Sequence, residues 1–228
     1  MVSDSVQRIR EQIVQTCVRC GRDPATVQLM AVSKFQPIEK IHEAACAGIK
    51  LFGENRVQEA VQKLQTFKRE QADIKIHLIG SLQRNKAKAA LSFFDGIQSV
   101  DRESLLVELG RLTLNRAEAF PLLLELHTGE ESKAGFKDCD SLLRAVDLAS
   151  HYSGIAIRGL MTIAPFTQDI QIIRASFRSL VHAQQVLQSH VPAGDYSILS
   201  MGMSNDFVCA IEEGSTLIRI GTALFGSR

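Results

Sequence analysis

The sequence predicts an α/β fold, a single-domain (β/α)8 TIM barrel with an extra helix at its N-terminus. Three observations support this prediction. The 228 residues include 45% hydrophobic and 22% charged residues, as in ordinary globular proteins. Eight short runs rich in Val, Ile and Leu alternate with stretches of helical periodicity. Several of these runs are apolar throughout, which is typical of parallel strands covered on both faces.

The predicted strands are the apolar runs, each of which is as long as strands usually are. In chain order they are residues 27–33, 49–52, 75–79, 96–100, 120–127, 155–160, 196–200 and 217–220.

Helical periodicity fills nearly every gap between these strands. The segment 37–48 starts with Pro37 and stops at Gly48, as helices commonly do. The other predicted helices are residues 54–68, 84–91, 102–116, 140–151, 169–189 and 206–213, and an amphipathic helix over residues 4–19 precedes the first strand. Because no linker, repeat or low-complexity segment interrupts the chain, residues 1–228 are predicted to form one domain.

A doubly wound open sheet would show the same alternation of strands and helices. Such a sheet usually has a glycine-rich nucleotide-binding turn after its first strand. Here the first strand is followed by Ser33-Lys34-Phe35-Gln36-Pro37, which contains no glycine. The barrel is therefore the preferred fold.

Composition excludes several classes of protein. Lys and Arg number 26 against 25 Asp and Glu, so nucleic-acid binding driven by bulk charge is not expected. No window approaches the ~18 consecutive apolar residues of a membrane span. The N-terminal segment is polar and lacks the apolar stretch of a signal peptide, so we expect a cytoplasmic protein.

The five cysteines are odd in number and scattered, which argues against a disulfide framework and agrees with a reducing compartment. Cys17 and Cys20 form a CxxC motif, but no second pair follows to complete a zinc site. Their spacing also suits one face of the first helix. No metal site is predicted.

Lys34 is the first candidate for chemistry. In a barrel of this type the functional residues lie at the carboxyl ends of the strands, and Lys34 directly follows the first strand. A lysine amine partly withdrawn from water can act as a Schiff-base nucleophile toward an aldehyde. The alternative is an ordinary surface lysine in a loop.

Small and hydroxyl residues gather at the ends of the last two strands. The seventh strand ends in Leu199-Ser200-Met201-Gly202-Met203-Ser204, and the eighth continues into Gly221-Thr222. In this fold that corner is the usual phosphate site, where backbone N–H groups and hydroxyls bind the dianion. Ordinary helix caps are the alternative.

Arg219 is an unusual residue to find inside an apolar strand. Arginine is rarely buried without a partner, so its side chain is expected to meet a ligand at the mouth or a carboxylate inside the barrel.

Six segments, taken in order, carry a resemblance to a known family. They are Ala31-Val32-Ser33-Lys34, Phe52-Gly53-Glu54-Asn55-Arg56-Val57-Gln58-Glu59, His77-Leu78-Ile79-Gly80-Ser81-Leu82-Gln83-Arg84-Asn85-Lys86, Gly159-Leu160-Met161-Thr162, Leu199-Ser200-Met201-Gly202-Met203-Ser204 and Arg219-Ile220-Gly221-Thr222-Ala223-Leu224-Phe225-Gly226. Together they resemble the YggS/PROSC family of pyridoxal 5′-phosphate (PLP) homeostasis proteins, from about residue 27 to the C-terminus.

The resemblance implies a barrel of the alanine-racemase N-terminal-domain type, with PLP held as a Schiff base on Lys34. It implies that Arg219 meets the pyridine nitrogen and that Asn55 and His77 line the mouth. The residues that match the family's phosphate-binding positions are Ser200, Gly221 and Thr222, with the backbone of Met201 beside them.

The chain departs from the family pattern at the outer mouth. Ser81 stands where a histidine is frequent, and Asn205 where glycine or an acidic residue is frequent. Glu125-Leu126-His127 replaces the more usual Gln/Asn-x-Asn pattern.

A contact between Arg219 and the pyridine ring of PLP would limit the chemistry that the cofactor can support. Because guanidinium stays charged and only donates hydrogen bonds, it keeps the pyridine nitrogen unprotonated and weakens electron withdrawal. The predicted function is therefore PLP binding in vitamin B6 homeostasis, by storing, buffering or delivering PLP to PLP-dependent apoenzymes. No robust catalysis and no catalytic residue are expected.

Two alternatives are a small PLP-dependent amino-acid racemase and a barrel enzyme that uses Lys34 on a phosphorylated substrate. In alanine racemase the opposing base comes from a second domain across a dimer, for which the six residues after Thr222 leave no room. We therefore expect a monomer without that base.

Overall fold

A computed structural model describes residues 1–129 and 134–226. They form a closed barrel of eight parallel strands in the order β1 to β8, with β8 paired to β1. The strands are β1 Gln28–Val32, β2 Leu51–Glu54, β3 Lys75–Leu78, β4 Gly96–Val100, β5 Phe120–Glu125, β6 Ile155–Met161, β7 Ile198–Ser200 and β8 Leu217–Ile220. The predicted (β/α)8 barrel is confirmed.

Nine α-helices lie in the described residues, mostly as the crossovers between neighbouring strands. They are α1 Val2–Arg19, α2 Ile38–Cys46, α3 Val57–Glu70, α4 Ala87–Phe93, α5 Glu103–Leu112, α6 Cys139–Ser150, α7 Ile170–His190, α8 Phe207–Glu212 and α9 Thr222–Phe225. The helix before the first strand was predicted, whereas the short α9 was not.

Several predicted boundaries are wrong, and the structure shows what sets three of them. Glu54, predicted to begin a helix, remains in β2 because its carbonyl accepts the Ile79 N–H (2.9 Å) and extends the sheet. The fifth strand ends at Glu125 rather than residue 127, because the chain leaves the sheet and pairs with Phe136. The helix predicted over residues 84–91 begins with a separate 3₁₀ turn, Arg84–Lys86.

The core between barrel and helices is apolar. Outward-facing strand residues such as Phe52 pack on the helices, and Phe52 meets Phe67 of α3 edge to face with ring centroids 5.8 Å apart. Both side chains are buried. Burial of one such side chain contributes about 1.5–3 kcal/mol to folding.

The barrel interior has a separate, smaller apolar cluster. Met30, Leu51 and Leu217 form it, with Ile79 and Ile198 packed against them. A Cβ on Gly53 would lie 2.7 Å from the Met30 sulfur, so the absence of a side chain at Gly53 leaves room for the Met30 side chain. This cluster fills part of the barrel, while polar side chains occupy the interior at the carboxyl ends of other strands.

Helix α1 packs its apolar side against α2, α8 and α9. Cys17 is buried in this helix, while Cys20 follows it, is exposed and donates to the Thr16 carbonyl at 3.0 Å. Within residues 1–129 and 134–226, no three His, Cys, Asp or Glu side chains group as metal ligands. No helix of those two ranges is both long and apolar enough to cross a bilayer.

Candidate functional site

A row of polar side chains lies inside the barrel. His77 of β3, Gln98 of β4, Ser200 of β7 and Arg219 of β8 are joined by hydrogen bonds across the interior. Each of them follows the inward alternation of its strand, because the residues next to them, such as Ile76 and Ile218, belong to the outer core. Four separate strands thus build one hydrogen-bonded chain.

Arg219 is the charged end of this chain and is only 4% exposed. Its Nη1 donates to both the carbonyl and the hydroxyl of Ser200 (2.7 Å each), and its Nη2 donates to the Thr162 carbonyl (2.8 Å). Guanidinium carries five N–H groups, so at least two of them have no acceptor among the described residues. Burial lowers the pKa of Arg219 to about 10, which leaves it charged at neutral pH.

The alternative of a salt bridge inside the barrel does not match the structure. No carboxylate of the described residues lies within 4.0 Å of the Arg219 guanidinium. Glu125 and Asp206 favour the charged form of Arg219 from a greater distance. Backbone carbonyls and one serine hydroxyl solvate the cation instead.

Gln98 links the arginine end to His77. The Ser200 hydroxyl donates to Gln98 Oε1 (2.7 Å), and Gln98 Nε2 lies 3.0 Å from His77 Nδ1. Burial lowers the pKa of His77 to about 4, so the ring is neutral at pH 7 and its Nδ1 can accept from the amide. The ring lies against Gly96, where a Cβ would come within 2.9 Å of it.

Glu125 shares the mouth with Arg219. Burial and the nearby carboxylate of Asp101 raise the pKa of Glu125 to about 7, although the charge of Arg219 acts in the opposite direction. A carboxyl group that titrates near neutral pH therefore faces the same space as a buried cation.

Lys34 lies where the sequence predicts it, in the turn between β1 and α2. The Gln36 N–H donates to the Ser33 carbonyl (3.0 Å), so Lys34 and Phe35 are the two central residues of this turn. Lys34 is half-buried, and its amine makes no hydrogen bond or ion pair with another described residue. The amine is free to meet a ligand.

Asn55 directly follows β2 and is half-buried beside the carboxyl end of β3. A Cβ on Gly80 would lie 2.3 Å from the Asn55 carbonyl oxygen, so the backbones of these two strand ends touch. Asn55 therefore follows the strand next to the one that carries His77, and the role of both residues at the mouth stays a prediction.

The loops after β7 and β8 meet at the predicted phosphate corner. The Ala223 N–H donates to the Ser204 hydroxyl at 3.2 Å. Gly221 has a φ of −111°, and a Cβ on it would meet Val32 only at an ordinary contact distance of 3.6 Å. Packing does not explain this glycine. Thr222 is exposed beside it.

Two predicted residues have partners other than those expected. The Ser200 hydroxyl is buried in the interior chain and donates to Gln98. It would have to give up this hydrogen bond before it could donate to a phosphate oxygen. The Met201 N–H donates to the Leu217 carbonyl (3.1 Å) and the Met201 carbonyl accepts from the Ser215 hydroxyl (2.7 Å), so both backbone groups already have partners in the barrel. The backbone contact of Met201 with a phosphate stays a prediction.

Sequence reasoning missed Gln98, which joins the two halves of the interior chain. The available signal was an amide in the middle of the apolar run Gly96-Ile97-Gln98-Ser99-Val100, on a strand covered on both faces. A buried amide needs hydrogen-bond partners, so Gln98 alone predicts other polar side chains inside the barrel.

Comparisons with known proteins place the chain. The family model for the alanine racemase N-terminal domain matches residues 5–228. A pyridoxal phosphate homeostasis protein of Vibrio alginolyticus is 38% identical over 230 residues, covering 100% of this chain and 97% of the relative. The protein of the same name from Escherichia coli K12 is 34% identical over 232 residues, covering 100% and 97%. This chain belongs to the pyridoxal phosphate homeostasis protein family. The predicted family is confirmed.

Solved structures agree with this assignment. PipY of Synechococcus elongatus PCC7942, with PLP bound, is 37% identical and has a TM-score of 0.87, covering 99% of this chain and 100% of PipY. Alanine racemase of Corynebacterium glutamicum has a TM-score of 0.73 at 15% identity and covers 99% of this chain and 61% of the racemase, which shows the shared fold alone.

Glu125 predicts a distinct pH dependence of stability. Its pKa is about 7 in the folded protein against 4.5 ordinarily, so between these values the folded state holds a proton that the unfolded chain has lost. Stability from this group is present at low pH and declines, by at most about 1.4 kcal/mol per pH unit, as the pH rises toward 7.

His77 has the opposite pH dependence: because its pKa is lowered to about 4, its contribution to stability is present above its ordinary pKa and is lost as the pH falls toward 4. Comparison of the wild type with Glu125→Gln separates the effect of Glu125 from that of His77. In urea unfolding from about pH 5 to about pH 8 the variant should gain on the wild type as the pH rises. The exposed Glu118→Gln is the matched control and should show no such trend. A constant difference between Glu125→Gln and wild type would contradict the assignment.

Proposed function

We propose that this protein binds PLP at the barrel mouth and serves PLP homeostasis by holding, buffering or delivering the cofactor. Two observations together carry the proposal: among the described residues the Lys34 amine has no hydrogen-bond or ion-pair partner, and the buried Arg219 keeps N–H groups that have no acceptor there. PLP has complementary groups at opposite sides of its ring, namely an aldehyde and a pyridine nitrogen. The relative PipY, whose structure contains PLP, supports the same ligand.

Lys34 is the proposed covalent attachment point. When bound, PLP supplies an aldehyde; the Lys34 amine adds to its carbon, and water leaves as the Schiff base forms. The turn that carries Lys34 follows β1, which is paired with both β2 and β8. Lys34 and Arg219 are therefore held by adjacent strands of one rigid barrel.

Arg219 is the proposed partner of the pyridine nitrogen. Its N–H groups donate hydrogen bonds to that nitrogen, and because the guanidinium stays charged it does not transfer a proton to the ring. The ring then remains a weak electron sink, which supports binding without robust catalysis. His77 is neutral, so it adds no second cation to the site.

The phosphate is proposed to lie between the loop after β7 and the turn Gly221-Thr222. The exposed Thr222 hydroxyl and the partly exposed backbone N–H of Gly221 are the groups proposed to donate, because close packing requires neither of them. Ser204 lies at the same corner through its bond to Ala223. Ser200 is proposed to contact the phosphate only if its hydroxyl exchanges the hydrogen bond to Gln98 for one to the phosphate. Asn55 remains a proposed residue of the mouth.

A racemase activity has no observation in its favour, since the likeness to alanine racemases is at the level of the fold. Delivery to PLP-dependent apoenzymes, the monomeric state, the cytoplasmic location and the absence of nucleic-acid partners stay predictions.

The proposal is tested by loading the purified protein with PLP and reducing it with borohydride. The Lys34-containing peptide should gain the mass of the reduced cofactor, and the visible absorbance band should disappear. Lys34→Ala should show neither change, while the half-buried Lys40, whose amine donates to the Phe225 carbonyl, provides the control Lys40→Ala with normal labelling. A wild type that gains no cofactor on Lys34 would contradict the proposed function.

Phosphate recognition is tested by comparing PLP with pyridoxal, which lacks the phosphate. A charge-assisted hydrogen bond contributes about 1.5–3 kcal/mol, so Thr222→Ala should weaken PLP binding about ten- to a hundredfold. Gly221→Ala should also weaken PLP binding, with little change in unfolding free energy, because its Cβ has room in the free protein.

Both variants should bind pyridoxal as the wild type does. Equal losses for PLP and pyridoxal would place the phosphate elsewhere.

A further inference from the structure

On the outer face of the barrel, directly beneath the Lys34 turn, three charged side chains form a cluster. Glu54 at the end of β2 and Glu59 and Lys63 of α3 make up this cluster, which we call the turn clamp. Glu54 faces outward because its neighbour Gly53 faces the barrel interior. The clamp is therefore separate from the interior chain that holds Arg219.

The clamp binds the residue before Lys34 through two groups. The Ser33 hydroxyl donates to Glu54 Oε1 (2.6 Å), and Lys63 Nζ donates to the Ser33 carbonyl (2.8 Å). Lys63 Nζ is also 2.8 Å from Glu54 Oε1, so the cation joins both contacts. Ser33 and Glu54 are fully buried.

The clamp also binds the residue after Lys34. The Phe35 N–H donates to Glu59 Oε1 at 3.1 Å, and Glu59 lies 3.8 Å from Lys63 Nζ. Phe35 has a φ of 60°, in the left-handed region that non-glycine residues rarely adopt, at a cost of about 1–3 kcal/mol. Such a conformation persists only where surrounding contacts impose it.

The chemistry of the cluster is not that of a stabilising core. A buried ion pair usually adds little net stability compared with apolar residues of the same size. Glu54 even leaves its Oε2 buried with no hydrogen-bond partner in the described residues. What the three charges provide is a fixed backbone on both sides of Lys34.

We propose that Glu54, Glu59 and Lys63 are positioning residues that hold the Lys34 turn in the conformation needed for attack on an aldehyde at the barrel mouth. This inference rests on the proposed function of Lys34. The clamp itself touches neither the cofactor nor the reacting amine; it acts through the backbone of Ser33 and Phe35.

Glu59 is the residue to change, because it is partly exposed and its loss leaves the Glu54–Lys63 pair intact. Glu59→Ala removes the acceptor for the Phe35 N–H, whereas Glu59→Gln keeps a carbonyl oxygen at the same place. Glu70→Ala, an exposed change at the end of the same helix, is the matched control.

Two measurements are needed. The rate of covalent attachment of PLP, followed by absorbance, should fall about tenfold in Glu59→Ala and stay within about twofold of wild type in Glu59→Gln and Glu70→Ala. Hydrogen exchange of the peptide spanning residues 33–37 should increase only in Glu59→Ala. The second readout does not depend on PLP.

Non-covalent binding distinguishes positioning from general destabilisation. In a Lys34→Ala background, adding Glu59→Ala should leave the affinity for PLP unchanged, because the clamp acts through the lysine. Equal weakening in both backgrounds, or an attachment rate in Glu59→Ala equal to that of wild type, would overturn the inference while the proposed function stands. A wild type that gains no PLP would overturn both.

Discussion

The structure depends on the way backbone carbonyls and one hydroxyl solvate a buried guanidinium. Taking an ion out of water costs several kcal/mol unless polar groups replace the lost hydration. For Arg219 those groups are two carbonyls and the Ser200 hydroxyl. Because no carboxylate of residues 1–129 and 134–226 contacts the cation directly, no ion pair among them cancels its charge, and its remaining donors can serve a ligand.

The rest of the interior follows from that cation. The Ser200 hydroxyl accepts from Arg219 and must donate elsewhere, and Gln98 supplies the acceptor. The amide of Gln98 in turn needs an acceptor, which a neutral His77 ring provides. A protonated His77 would lose this role and place a second positive charge in the same enclosed space, so its lowered pKa is consistent with the whole chain.

At the mouth, inward-facing and outward-facing residues of the strand ends hold different parts of the proposed site. Inward residues hold Arg219 and leave some of its N–H groups without an acceptor in the described part of the chain, while outward residues of β2 and α3 hold the turn that carries Lys34. Strand alternation is what makes this division possible, since adjacent residues Gly53 and Glu54 face opposite sides of the sheet. The backbone turn that carries Lys34 and the Arg219 guanidinium are thus held by independent sets of contacts.

Sequence periodicity was enough to predict the barrel, because apolar runs and helical stretches report the burial of each element. It was also enough to place Lys34 and Gly221-Thr222 at strand ends, since that needs only the order of elements. It did not show the partners of Ser200 and Met201, because those depend on which strands face each other across the barrel. The start of α3 was misplaced for a related reason: a glutamate buried at the end of a strand has the same local sequence pattern as one in a first helical turn.

In the proposed site Arg219 keeps the pyridine nitrogen of the cofactor unprotonated, and one measurement tests this directly. PLP labelled with ¹⁵N at the pyridine nitrogen can be bound to the wild-type protein and its nitrogen resonance recorded by NMR across neutral pH. We expect the chemical shift of an unprotonated, hydrogen-bonded pyridine nitrogen, and we expect that it does not titrate while the protein stays folded. A resonance at the position of a protonated pyridinium in the wild type would contradict it.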